Sequence, residues 1–166
     1  MVMNYPTPKL TTIIAIDPGV SGAFAVLNQH GVQLWHMPTT ENLIAETVAK
    51  IVAESHANLR APVAVVEQIN GFMGNALPGS RMFTMGSNYG FVRGVLKALH
   101  VPVTLVGPRK WQGDLGLKKE KEMNRNKWKQ KLCCEAKALY PLVKVTQQDA
   151  DALLLLHWAR LNVDSL

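Results

Sequence analysis

Apolar positions along the chain fall into runs of two periods, and their order predicts an α/β domain. Thr11–Asp17 is β-rich and nearly unbroken, with Ile13, Ile14, Ala15 and Ile16 consecutive. A strand without polar alternation is buried on both faces, so it belongs at the centre of a sheet. Asp17-Pro18-Gly19 breaks it. Gly22–Leu27 reads as a second strand, joined as a hairpin, and Val32–Met37 as a third after a turn at Asn28–Gly31. Glu41–His56 switches to helical spacing through Leu43, Ile44, Thr47, Val48, Ile51 and Val52. Pro62 ends the following loop, and Val63–Glu67 is a short apolar strand finishing in a carboxylate. Gly71–Gly79 is a glycine-rich loop, Ser80–His100 a helix and Val101–Val106 a fifth strand. Three helices complete the order: a short one over Pro108–Leu115, a basic one over Glu120–Leu139, and an apolar one over Gln147–Asn162 capped by Thr146. A hairpin followed by βα alternation predicts a mixed sheet with helices on both faces.

Composition narrows the class. The 166 residues are 48% hydrophobic and 18% charged, which fits one globular domain with a real core. Residues 1–10 read as a loose leader and 11–166 as the domain. No apolar stretch approaches the ~18 residues of a membrane span, and the start lacks a signal-peptide pattern, so a cytoplasmic protein is expected. The two cysteines, Cys133 and Cys134, are adjacent. That spacing suits neither a structural disulfide nor a zinc cage, and points to reduced thiols.

Charge adds a partner. Net charge is +6, and all of that excess lies between Arg109 and Lys131. This segment holds Arg109, Lys110, Lys118, Lys119, Lys121, Arg125, Lys127, Lys129 and Lys131 against Asp114, Glu120 and Glu122. With Trp111 and Trp128 inside it, the block suits a phosphate backbone, although a solvated helix face would look similar.

Acids are sparse, so their placement matters. Asp17 and Glu67 each end a strand that should be buried, where a lone carboxylate needs a partner. Asp17 also fits a turn before Pro-Gly, and Glu67 a loop start. Asp151 shares a helical stripe with Leu154, Leu155 and Trp158 and so should face the sheet. Asp149 stands in a Thr146-x-x-Asp149 spacing that resembles a capping box. Residues two apart on a helix diverge by about 200°, so Asp149 joins Asp151 at one site only from outside regular helix. Clustered carboxylates raise one another's pKa unless a divalent cation neutralises them, and hard oxygen ligands select Mg²⁺ or Mn²⁺. An acid cluster beside a basic block is what a metal-dependent nuclease needs. His30, His36, His56, His100 and His157 show no paired metal spacing. Gly86, Gly90 and Gly94 share one helix face, for packing or for an interface.

Four stretches, in this order, resemble the RuvC-type Holliday junction resolvases of the RNase H-like superfamily. They are Ile13-Ile14-Ala15-Ile16-Asp17-Pro18-Gly19 with Gly22; Val65-Val66-Glu67-Gln68; Pro108 through Lys127 with Trp111 and Leu115-Gly116-Leu117; and Asp151-Ala152-Leu153. The Trp and Leu-Gly-Leu version is most similar to the phage and prophage branch. The resemblance implies an RNase H-like fold with a five-stranded mixed sheet, a homodimer, and paired nicks across four-way DNA junctions. It implies two Mg²⁺ ions, replaceable by Mn²⁺, held by Asp17, Glu67 and Asp151, with Asp149 as a fourth ligand. It further implies water as nucleophile, a 5′-phosphate product, and a bacterial or phage-encoded protein acting in the cytoplasm. Lys127 matches the family's lysine near the scissile phosphate, with Lys118, Lys119 and Lys121 as competitors. Where the family has an acid or histidine three residues before Asp151, this chain has Gln148. Phe72 matches the aromatic that wedges at the junction; core packing is the alternative.

Other readings stay open on the sequence. An actin-like or sugar-kinase ATPase also begins with a strand, Asp and glycine turn, but needs two such domains. A junction-binding module without catalysis would retain the basic block. A nuclease of the same fold could act on flaps, other branched DNA or RNA–DNA hybrids, because phosphate contacts position nucleic acid without identifying its shape.

Overall fold

The computed structural model describes residues 10–69 and 78–162. Its strands are β1 (Thr11–Asp17), β2 (Ala23–Asn28), β3 (Gly31–His36), β4 (Ala61–Glu67) and β5 (Val103–Val106). They form one sheet in the order β3-β2-β1-β4-β5. β1 is central, as its unbroken apolar run requires: it pairs antiparallel with β2 and parallel with β4. The helices are α1 (Glu41–Ala57), α2 (Gly79–Ala98), α3 (Pro108–Asp114), α4 (Arg125–Leu139) and α5 (Ala150–Leu161).

The period of two along the strands divides the core into two layers. Ile14, Ile16, Phe24, Val26, Ala64 and Val66 face α1 and α2 through Ile44, Val48, Val92 and Leu96. Ile13, Ala15, Ala23, Ala25 and Val65 face the other way, with Trp111, Trp128, Leu132 and the α5 leucines. The second face is lined by alanines where it meets α5, so the helix can lie close to the sheet. Leu153, Leu154, Leu155 and Leu156 are all fully buried. Each such side chain contributes about 1.5–3 kcal/mol of transfer free energy, so α5 is fixed firmly over β1 and β2.

Among the boundaries that differ from expectation, three do so for clear local reasons. β4 begins at Ala61, with Pro62 inside it. The Ala61 amide donates to Leu10 on the β1 side (2.8 Å), so position 62 points toward β5, whose ladder starts only at Ala64; no donor is needed there. α4 begins at Arg125, not Glu120, because Asn124 caps it: its Oδ1 accepts from the Lys127 amide at 2.9 Å. α5 begins at Ala150, after a turn over residues 147–149. In α2 the buried side chains are Val92 and Leu96, and the turns before them stand largely exposed. Among the described residues, no helix is long and apolar enough to cross a membrane.

Candidate active site

Strand parity decides where the two strand-end acids point. Asp17 ends β1 and Glu67 ends β4; the strands run parallel, with Ile16 opposite Val66. Counting by twos, Asp17 lines up with Ile13 and Ala15, and Glu67 with Val65, all on the α5 side. Asp151 comes from the first turn of α5 and is 7% exposed. The three carboxylates therefore gather at one sheet edge. Asp17 and Glu67 both sense the Asp151 charge, and Glu67 also senses Asp17.

Each acid has its own support. Asp17 Oδ1 accepts from the Gly19 amide at 3.1 Å, an Asx-type turn, so the turn role and the cluster role coincide. The turn depends on Gly22, where a Cβ would stand 2.0 Å from the Asp17 carbonyl oxygen. The Gly22 carbonyl in turn accepts from the Met37 amide (2.9 Å) and from Gln148 Nε2 (3.1 Å), tying the hairpin to the segment before α5. Glu67 Oε2 accepts from the indole N–H of Trp111 at 2.8 Å. Asp151 Oδ2 is ion-paired with Lys129 of α4, while Oδ1 is buried with no hydrogen-bond partner among the described residues.

The electrostatics follow. Burial, then the Asp151 charge, raises the Asp17 carboxyl above its ordinary range, against the Gly19 amide and Lys129. Burial, then Asp17, then Asp151, pushes Glu67 up to about 8, against the Trp111 hydrogen bond and Lys129. Burial and like charge thus favour the neutral forms of Asp17 and Glu67, and positive charge arriving at the cluster would oppose that preference. Among the described residues, no three Asp, Glu, His or Cys side chains close on one point at metal-binding distance, and the cation standing among the acids is Lys129.

Several expected residues lie elsewhere. Asp149 does not join the cluster: Oδ2 accepts from the Thr146 amide (2.9 Å) and hydroxyl (2.5 Å), and Oδ1 is 3.1 Å from His36 Nε2. Only the back-reaching half of the capping-box spacing is present: Thr146 does not cap α5, which starts at Ala150 after an Asp149 that makes no side-chain cap bond. Lys127 is exposed and lies about 200° round α4 from Lys129, and it is Lys129 that pairs with Asp151. Lys129 was legible: it shares a stripe with Leu132, Cys133 and Ala136 at offsets of three, four and seven, the phasing that placed Asp151. Trp111 and Trp128 are core residues, not surfaces for bases. Arg109, Lys110, Lys118, Lys119, Lys121 and Arg125 are exposed, and Lys110 is paired with Asp114 at 2.6 Å. Phe72 lies outside the described residues. Gly86, Gly90 and Gly94 do not pack within the chain: among the described residues a Cβ added at any of them would meet nothing within 4 Å.

No protein-family model matches this chain, and no curated protein matches it. Solved structures do. A Thermus thermophilus RuvC in complex with Holliday junction substrate aligns with TM-score 0.59 and 16% identity, over 93% of this chain and 96% of the other. A second T. thermophilus RuvC structure gives 0.58 at the same identity and coverage. The yeast mitochondrial Holliday junction resolvase Ydc2 aligns at 0.45 and 16%, over 96% and 82%. The sheet order, the two helical layers and the first two alignments establish a RuvC-like α/β fold.

Proposed function

We propose that this chain is a divalent-metal-dependent endodeoxyribonuclease that resolves four-way DNA junctions. The observation that carries the reading is the meeting of Asp17, Glu67 and Asp151 at one sheet edge, with Lys129 among them, on a RuvC-like fold. The donor set fits a hard cation on two counts. Asp17 and Glu67 are held above their ordinary pKa by burial and by neighbouring acids, and Asp151 Oδ1 is a buried oxygen without a partner among the described residues. Asp17, Glu67 and Asp151 would hold the metal. Mg²⁺ or Mn²⁺ there would activate water and stabilise the leaving oxygen of a phosphodiester.

The chain's own residues do the rest. Asp17 is held by its turn and Glu67 by Trp111, so neither carboxylate has to be ordered when the substrate arrives. Lys129 is the cation beside the acids and the residue to meet the scissile phosphate, in place of Lys127. Lys118, Lys119, Lys121, Arg125 and Lys127 offer exposed positive charge for the DNA backbone. Asp149, bonded to Thr146 and His36, fixes the approach to α5. Paired nicks need two sites, and a homodimer supplies them. The exposed face of α2, with Gly86, Gly90, Gly94 and a Phe83 that is 77% exposed, is the surface we assign to that contact. A DNA substrate and reduced thiols fit a cytoplasmic setting.

The test is cleavage of a labelled immobile four-way junction in Mg²⁺, beside a flap and a linear duplex, with chelator and Asp17→Asn as controls. Symmetric, metal-dependent nicks confined to the junction are expected. Equal cutting of the flap would keep the chemistry and reassign the substrate to branched DNA in general. Tight binding without cleavage in Mg²⁺ or Mn²⁺ would make this a junction-binding protein.

A further inference from the structure

Trp111 is fully buried, in a helix whose first residue is Pro108 and whose indole face lies in the core layer beneath α5. A buried indole N–H must find an acceptor. A carbonyl from the surrounding backbone would satisfy it. Instead it donates to Glu67 Oε2, 44 residues away in sequence, at 2.8 Å. The donor is locked by packing, whereas a glutamate side chain is among the most flexible in its free state and loses much of its rotamer freedom on ordering. The bond therefore transfers the rigidity of the core to one carboxylate of the acid cluster. It also opposes the burial and repulsion that favour the protonated form of Glu67.

We propose that Trp111 is a positioning residue for the cation site: its indole N–H fixes Glu67 Oε2 and leaves Oε1 to be presented to the metal. This rests on the metal-dependent reading above. The same helix supplies an internal control. At its far end the exposed Asp114 accepts from the indole N–H of Trp158 at 2.7 Å and from Lys110. That pair has the same chemistry but no part in the acid cluster. A donor with a purely structural role at Trp111 would be matched by the one at Trp158; a positioning donor would not.

The experiment uses the full chain without DNA, and compares Mn²⁺ binding by calorimetry for wild type, Trp111→Phe and Trp158→Phe. Phenylalanine fills most of the indole volume and removes the donor. Loss of an outer-shell partner of a metal ligand lowers affinity by about 10–100-fold, and Trp111→Phe is expected to weaken Mn²⁺ at least about tenfold on that scale. Trp158→Phe should stay within about twofold, well short of that loss. Four-way junction binding in Ca²⁺ should be unchanged for Trp111→Phe, while its single-turnover cleavage rate falls. Wild-type Mn²⁺ affinity in Trp111→Phe overturns the proposal, and so does an equal loss in Trp158→Phe. Should Trp111→Phe not fold, ¹⁵N-indole spectra of the wild-type chain decide the matter: on Mg²⁺ titration the Trp111 N–H signal should move and the Trp158 signal should not. A stationary Trp111 signal in a chain that binds Mg²⁺ also overturns it. No divalent binding by wild type at all would instead remove the metal reading, and the positioning role with it.

Discussion

Lys129 of α4 and Asp151 of α5 form an ion pair that satisfies one Asp151 oxygen and leaves the other buried without a partner among the described residues. The pair joins the two helices beside the strand-end acids and supplies the positive charge that Asp17 and Glu67 sense. Lys129→Met should therefore act on stability and turnover together. Removing one member of a buried pair costs about 3–5 kcal/mol, and Lys129, with its side chain 31% exposed, should fall at the lower end of that range. Urea denaturation in chelator measures the loss. Junction cleavage per folded molecule should also drop, while Lys127→Ala should leave both quantities close to wild type. The reverse ranking would return Lys127 to the reaction centre.

Asp17→Asn should separate stability from chemistry. The change removes one of three repelling carboxylates and keeps a side-chain oxygen for the Gly19 amide. The melting temperature in chelator at pH 8 should equal or exceed that of wild type, junction binding should persist, and cleavage should be lost. Wild-type nicking rates in this variant would exclude Asp17 from the mechanism.

Gly22→Ala should be severely destabilising. A Cβ at that position lies 2.0 Å from one backbone oxygen and 2.8 Å from another, the carbonyl of Gly19, and no side chain can yield there. Overpacking in a core costs about 1–3 kcal/mol, and a backbone collision should reach or pass the upper value. Gly113→Ala, which has open space and lies outside the α2 face, is the comparison, and urea midpoints that match would contradict the turn geometry.

Glu67 sets the sign of the pH dependence. Its folded pKa, about 8, lies above the ordinary value of 4.5, so the folded chain holds this proton more tightly than the unfolded one. That contribution to stability is complete below pH 4.5 and is lost as pH rises through 8. The melting temperature in chelator should fall between pH 5 and 8.5, and the stabilising shift given by saturating Mn²⁺ should grow over the same window. Calorimetric scans showing a flat or rising profile without metal would contradict the raised pKa.

What could be read in the sequence was whatever is written in a period. β1 is central because it has no polar alternation, and parity then turns Asp17 and Glu67 to the α5 side. Helical phasing found Asp151 for the same reason. The basic segment reads as a run of charge, without phasing, and Lys127 is matched through the resemblance; the stripe through Leu132, Cys133 and Ala136 marks Lys129 as the lysine that faces the acids. Trp111 and Trp128 stand inside the cationic block in sequence, and only tertiary packing shows that both are core. Asp149 turned on a local competition, between reaching the cluster and reaching back to Thr146, and a sequence does not rank two such options three residues apart.

The placement of α5 has a consequence for biosynthesis. Asp17 and Glu67 belong to strands made early, whereas Asp151 and the four leucines that cover Ala15 and Ala25 are translated last among the elements of the site. A nascent or prematurely terminated chain has the strand-end acids but lacks their third partner, and it presents a bare apolar sheet face instead of a closed core. The third carboxylate of the cluster and the cover of the apolar sheet face thus arrive with the same helix, and a chain cut short before it lacks both.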